Sequence, residues 1–447
     1  MKNSLLIIAF ILLGCSAFAQ QKNDFHAWAA TPPMGWNSWD CYGPTVTETE
    51  VKANADYMAR YLKKYGWEYI VVDIRWYVTN DKSHGYNETN PDYNIDAYGR
   101  FIPSVDRFPS AAGGKGFKPL ADYLHSKGLK FGIHIMRGIP VISVKQRLPV
   151  KGSKATAKDI YTEKDQCKWL HDMYTIVPGK EGAQEYYNSI FELYASWGLD
   201  FVKVDDLSAP IYFTEEIEMI RKAINRTGRK IVLSTSPGET PIAHAAHVQQ
   251  HANMWRTVND FWDNWKPLNE HFEVFERWNQ WRTAGAWPDG DMLPLGRIGI
   301  RAEVGNPRMS AFTHDEQYTL MTLWSIFRSP LMFGGNFPDN DPFTLSLITN
   351  KNVLSVLNKS RNNKPVLNDS TKAIWTAEPT DKPGKYLAVF NRTAQKTAIT
   401  VDLSSYGFSS SCTITDLWTG KVLGKFSGTF APDINAHGAG LYLVSGK

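Results

Sequence analysis

The chain has 447 residues, of which 43% are hydrophobic and 21% charged, and its 49 Lys and Arg against 45 Asp and Glu leave a formal net charge of only +4. Such a composition excludes a disordered chain, and charges of both signs spread along the sequence exclude a nucleic-acid binder driven by a clustered basic excess. The 13% aromatic content, with 16 Trp, fits either a large aromatic core or ring-stacking sites.

In chain order, Lys2, the apolar run Leu5 to Leu13 and the small-residue end Ala17-Phe18-Ala19 read as a secretory signal peptide over residues 1–19, too short to span a bilayer. An exported protein, periplasmic or extracellular, follows from that reading. Leu12-Leu13-Gly14-Cys15 offers the alternative of a lipoprotein site that leaves Cys15 acylated. No second apolar stretch is long enough to span a membrane. The remaining cysteines, Cys41, Cys167 and Cys412, are an odd and sparse set that makes no disulfide framework and has no metal-ligand spacing.

From residue 25 to 357 short apolar runs alternate with amphipathic ones. The runs Met34 to Trp39, Tyr69 to Trp76, Lys130 to Met136, Asp200 to Asp206, Lys230 to Ser236, Met254 to Asp260, Ala284 to Leu293 and Pro330 to Asn336 predict strands. Glu48 to Tyr65, Lys118 to Lys127 and Ala183 to Trp197 predict helices between them, so the segment reads as a (β/α)8 barrel of the α/β class. Residues 358–366 are the expected linker. Beyond it, residues 367–447 consist of Thr/Ser/Val/Tyr runs broken by turn residues, which predicts a C-terminal antiparallel β-sandwich.

A barrel of this kind carries its chemistry at the C-terminal ends of its strands. The polar residues there are Trp36 and Asp40, Asp73, His134 and Arg137, Lys203, Asp205 and Asp206, Ser236, Arg256 and Asp260, and Asp289 and Asp291. Several carboxylates converging with Trp on one rim are what glycoside hydrolysis requires, one to attack the anomeric carbon and one to protonate the leaving oxygen. No Gly-rich cradle precedes a helix, which argues against a phosphate site.

These residues also carry a resemblance. Thr31-Pro32-Pro33-Met34-Gly35-Trp36-Asn37-Ser38-Trp39 resembles the opening signature of the α-galactosidase-like glycoside hydrolases of family 27. Phe201-Val202-Lys203-Val204-Asp205 is similar to that family's nucleophile strand, Trp255-Arg256-Thr257-Val258-Asn259-Asp260 to its acid/base strand, and Trp287-Pro288-Asp289-Gly290-Asp291-Met292-Leu293 to its seventh-strand motif. The resemblance runs in order over nearly the whole mature chain. It implies a retaining double displacement without metal or organic cofactor, Asp205 as nucleophile and Asp260 as acid and then base.

Around that pair, Lys203 lies two residues before Asp205 and so on the same strand face, where its charge keeps Asp205 ionised. Alternation turns Asp206 away from the axis. Arg256, four before Asp260, is placed to hold a sugar hydroxyl or the acid itself. Trp36 is the expected platform under the pyranose, Asp73 the ligand of its axial 4-hydroxyl, Asp291 of hydroxyls near the 2- and 3-positions, and Ser236 the neighbour of the 2-substituent. His134 and Arg137 are either rim contacts or satisfied structural groups.

The departures from the pattern bear on the substrate. Typical α-galactosidases carry two consecutive Asp at the end of strand two, the second accepting from the sugar 6-hydroxyl, whereas this chain has Asp73-Ile74-Arg75-Trp76. A β-L-arabinopyranoside is an α-D-galactoside without its hydroxymethyl arm, and Ile74 would fill the vacated space with apolar surface. Losing the 6-hydroxyl's partner costs galactose about 1–3 kcal/mol, and a clash adds a similar amount, together a preference of roughly thirty- to twenty-thousand-fold. Leu207 stands where the family's bracing disulfide has a Cys, and Phe131 to Pro140 departs from the usual Tyr-containing third strand. The expected substrate is therefore a terminal β-L-arabinopyranoside of a plant-derived oligo- or polysaccharide, with α-D-galactosides also accepted. An ordinary α-galactosidase that tolerates Ile74 is the alternative, a non-catalytic carbohydrate-binding protein a third reading. The sequence sets no oligomeric state.

Overall fold

The computed structural model describes residues 25–408 and 410–446; the expected signal peptide and Cys15 lie outside the described residues. Eight parallel strands form one sheet: β1 (Met34–Asn37), β2 (Tyr69–Val72), β3 (Lys130–Met136), β4 (Phe201–Asp205), β5 (Val232–Thr235), β6 (Met254–Arg256), β7 (Trp287–Asp289) and β8 (Leu331–Phe333). They follow each other around the sheet in chain order, β8 pairs with β1, and a parallel bridge from Leu293 to Phe333 closes the ring. Each strand feeds a helix: α1 (Glu48–Tyr57), α2 (Lys118–Ser126), α3 (Ala183–Trp197), α4 (Thr214–Arg226), α5 (Ala245–His251), α6 (Trp265–Trp278), α7 (His314–Phe327) and α8 (Lys351–Asn358). This is a (β/α)8 barrel. The predicted strands are all present: β3 spans its whole predicted run, and the other seven are shorter, mainly because their polar ends turn into the rim.

Local chemistry fixes the ends of these elements. Thr47 caps α1 and Thr313 caps α7, each through a reciprocal capping box with the Glu three residues on. Gly198 ends α3 in the left-handed conformation. Gly35 lets β1 approach β2, since a Cβ there would lie 2.6 Å from atoms of Tyr69.

The barrel interior has two layers. Tyr69, Val71, Phe201, Val232, Met254, Trp287 and Met332 pack as an apolar cluster. One step along the alternating inward positions come Asp73, Lys203, Asp205, Ser234, Arg256 and Asp289, which make a polar floor for the C-terminal rim. The outward positions, such as Val202 and Val204, join the larger core beneath the helices.

The C-terminal domain is a sheet of β9 (Ser360–Asn368), β10 (Lys372–Pro379), β11 (Lys385–Asn391), β12 (Cys412–Asp416), β13 (Val422–Phe426) and β14 (Ala439–Ser445) in the order β9-β10-β11-β14-β12-β13. Two short antiparallel ribbons, Thr397–Ala398 with Asp433–Ile434 and Val401–Asp402 with Thr429–Phe430, cover its outer face. A correction falls at the expected linker 358–366. Apart from Asn358, which ends α8, and Lys359, its residues belong to β9, an edge strand hydrogen-bonded to β10 through two register shifts. Its Pro365 and mainly polar composition suit an edge and mask the strand in the sequence.

Candidate active site

A pocket of about 510 Å³ opens at the C-terminal rim of the barrel. Of the predicted site residues, Asp73, Ile74, His134, Lys203, Asp205, Ser236, Arg256, Asp260 and Asp291 all line it. Trp36 does not. It is 0% exposed, and its indole N–H donates to the Gly335 carbonyl at 2.8 Å. The reason is strand alternation: Asn37 points inward and donates from Nδ2 to Asp73 Oδ2 at 2.7 Å, so Trp36 must point outward. The expected platform role for Trp36 is therefore corrected. The pocket's aromatic surface comes from Trp39, which stacks on Tyr86 at 5.9 Å, and from Trp169, Phe261 and Trp262.

Asp205, the last residue of β4, sits deep in the pocket. Its Oδ2 lies 3.3 Å from His134 Nε2, and its Oδ1 accepts the Asp206 backbone N–H at 3.0 Å. Burial raises the carboxyl's pKa, but the His134 hydrogen bond and the charges of His134 and Lys203 outweigh it and hold the value down to about 2. Lys203 donates to Asp73 Oδ2 at 3.3 Å. Burial works against its charge, and the carboxylates of Asp73 and Asp205 more than compensate, keeping the ammonium protonated. Asp73 is further fixed by the Ile74 N–H on Oδ1 at 2.9 Å.

Asp206 turns the other way, with φ of 59°. Arg137 grips it with Nε on its carbonyl at 2.7 Å and Nη2 on its carboxylate at 2.9 Å, and also reaches Thr175 and Glu216. Of the two residues left open as rim or structural, His134 thus faces the pocket and Arg137 is structural. Arg137 lies over the Phe213 ring at 3.4 Å and, together with buried Leu207, braces the turn after β4. Cys41, Cys167 and Cys412 are all free and buried.

Asp260 contrasts with Asp205. It lies beyond the end of β6 in the following loop, its side chain 62% exposed at the pocket mouth. Arg256 holds it from the strand end, with Nη2 3.1 Å from Asp260 Oδ1 and 2.8 Å from Asp291 Oδ2. Asp291, with φ of 80°, also accepts the Phe261 N–H at 2.8 Å, so one guanidinium and one carboxylate position the whole loop.

Several pocket residues escaped the sequence reading. Asp40, collected from the sequence at the rim but given no role, is buried with Oδ2 unpartnered, and burial followed by the charge of Asp291 pushes its carboxyl well above the usual range. Tyr86 and Glu88 come from the loop after β2, Trp169 from the loop after β3, and Glu303 from the hairpin after β7. A buried ion pair ties the first two loops together: Arg75 donates to Asp172 from Nε at 2.7 Å and Nη2 at 2.6 Å, and Tyr77 and Tyr93 donate to the same carboxylate. Loop composition gave no periodic signal for any of these side chains.

An acid-lined pocket with one buried ionised carboxylate and one exposed carboxylate at its mouth, walled by aromatic rings, is the site of a glycoside hydrolase. The comparisons agree. Residues 143–359 match the family model described as alpha galactosidase A, and residues 369–444 the model of the alpha galactosidase C-terminal β-sandwich domain. The crystal structure of a β-L-arabinopyranosidase of glycoside hydrolase family 27 from Geobacillus stearothermophilus is 50% identical, with a TM-score of 0.92 over 94% of this chain and 98% of that one. A variant of that enzyme in complex with arabinose superposes with a TM-score of 0.93 at the same identity, over 95% and 99% of the two chains. The α-galactosidase of Cyamopsis tetragonoloba is 28% identical over 93% of this chain and 86% of its own length. This chain belongs to glycoside hydrolase family 27. No described helix is long and apolar enough to cross a membrane.

Proposed function

We propose that the protein is an exported, retaining exo-glycosidase that releases terminal β-L-arabinopyranose from plant-derived oligo- or polysaccharides, with α-D-galactosides as secondary substrates. The observation that carries this reading is Ile74. It is buried against the pocket one residue after Asp73, at the position where the family resemblance places the second acid of typical α-galactosidases. An isoleucine there offers a hydroxymethyl arm no hydrogen bond and packs well against a ring that lacks one. The Geobacillus relative, described as a β-L-arabinopyranosidase, supports the same glycone.

In this mechanism Asp205 attacks the anomeric carbon as Asp260 gives its proton to the departing glycosidic oxygen, so the glycosidic bond breaks as a glycosyl ester on Asp205 forms. Asp260, now a carboxylate, takes a proton from water, and the resulting hydroxide equivalent displaces Asp205 to release the sugar with its anomeric configuration retained. Positive charge developing on the ring is met by the ionised Asp205 and Asp73, already oriented by His134, Lys203 and Asn37 and needing no rearrangement.

The test compares kcat/KM on nitrophenyl β-L-arabinopyranoside and nitrophenyl α-D-galactoside for wild type and Ile74→Asp. Wild type is expected to favour the arabinoside by about tenfold or more, and Ile74→Asp to swing the ratio toward the galactoside by about ten- to a hundredfold. Equal or galactoside-favouring rates in wild type would leave an α-galactosidase.

A further inference from the structure

On the outer surface of the barrel, α4 and α5 bring Glu218, His247 and His251 together, with one donor atom from each lying within 4.8 Å of the other two. The two histidines are four apart on α5 and share a face, and their rings stack at 4.2 Å and 23°. Glu218 projects from α4, its Oε1 3.3 Å from His247 Nε2.

The remaining ring nitrogens are already engaged. His251 Nδ1 lies 2.8 Å from the His247 carbonyl, which can only accept, so in the neutral ring the proton is on Nδ1 and the Nε2 lone pair is left to a ligand. His247 Nδ1 lies 2.8 Å from the Tyr212 hydroxyl, and that tyrosine is held by stacking on His244 at 4.1 Å. Outer partners of this kind fix the tautomer and orientation of metal-bound imidazoles. A surface His–Glu pair would account for Glu218 and His247; it does not account for a second imidazole stacked beside them with its lone pair uncommitted.

We propose that Glu218, His247 and His251 form a divalent transition-metal site that clamps α4 to α5. Two imidazoles and one carboxylate suit zinc, with water as the fourth ligand. On binding, His247 gives up its Nε2 contact with Glu218, carries its proton on Nδ1 and donates it to the Tyr212 oxygen. None of the three ligands lines the catalytic pocket. The site is therefore structural: it favours the folded state by mass action and leaves the glycosidase chemistry untouched.

The test uses the tag-free full chain, treated with a chelator and titrated with zinc chloride by calorimetry and thermal melting. Wild type is expected to take up one zinc per chain and gain about 2 °C or more in Tm at saturation. His251→Gln should abolish both effects, and the surface variant Glu218→Gln should weaken binding about tenfold or more, with nitrophenyl-glycoside hydrolysis unchanged in each. No uptake by wild type, or the same uptake and Tm gain in both variants, would overturn the proposal.

Discussion

Asp205 and Asp260 are the same residue type in two environments, and those environments suit the two different roles proposed for them. Asp205 is buried, contacted by His134 and a backbone N–H, and held at a pKa of about 2. It is ionised at every pH where the fold is expected to operate, so a fall in kcat/KM above about pH 3 belongs to another group. Asp260 is exposed at the pocket mouth and is held by Arg256. Asp260→Ala should therefore slow alkyl and nitrophenyl glycosides by about 10²–10⁴-fold while a dinitrophenyl glycoside, whose leaving group needs no proton, loses far less in its first step. Burst kinetics across a series of leaving groups read this directly; a uniform loss would remove Asp260 as the acid. Strand alternation made Lys203, Asp205 and Asp206 legible in the sequence. The same rule, applied to β1 with Asn37 facing in, would have turned Trp36 outward and left the sugar-facing rings to residues beyond the strand.

At the scale of elements, all eight strands could be read because each is a short apolar run with a polar end. The rim loops could not. They owe their places to tertiary contacts such as the buried Arg75–Asp172 pair, which no local pattern encodes. One strand end carries a testable electrostatic cost. At the end of β7, Asp289 is pushed up to about 7, first by burial and further by Asp291, with Arg256 opposing. Its unfolded pKa is about 3.9, so between these values the native state binds the extra proton. The stabilisation is full below about pH 4 and is lost as pH rises toward 7. Asp289→Asn does not titrate, so its Tm relative to wild type should climb between pH 5 and pH 8. A constant offset across that range would contradict the assignment.

The whole molecule is built around a shared core. Phe390 of β11 packs on Phe272 of α6 at 5.0 Å, and Trp375 of β10 on Phe327 of α7 at 6.1 Å. His437 stacks on Trp265 at 3.8 Å with Nδ1 2.9 Å from Glu316, and Arg392 reaches Asn269 and Glu273. One buried cluster runs from barrel helices to sheet residues without a break. The sequence showed two textures and suggested a linker between them, whereas the segment pairs as an edge strand and the domains are joined by packing that composition cannot reveal. Scanning calorimetry should accordingly record one cooperative unfolding transition, and Trp375→Ala should lower it as a unit by destabilising the molecule about 3–5 kcal/mol. Two separable transitions would show the sandwich to be an independent appendage.

The central claim is that Asp205 attacks the anomeric carbon of a bound arabinopyranose, and trapping the intermediate tests it most directly. Incubation with a 2-deoxy-2-fluoro-β-L-arabinopyranosyl fluoride, which slows the second step more than the first, followed by peptide mass spectrometry, should find one glycosyl group per chain, carried on the peptide bearing Asp205 and located on that residue. A label on Asp206 or any other side chain, or full turnover to a product of inverted configuration with no label, would contradict it.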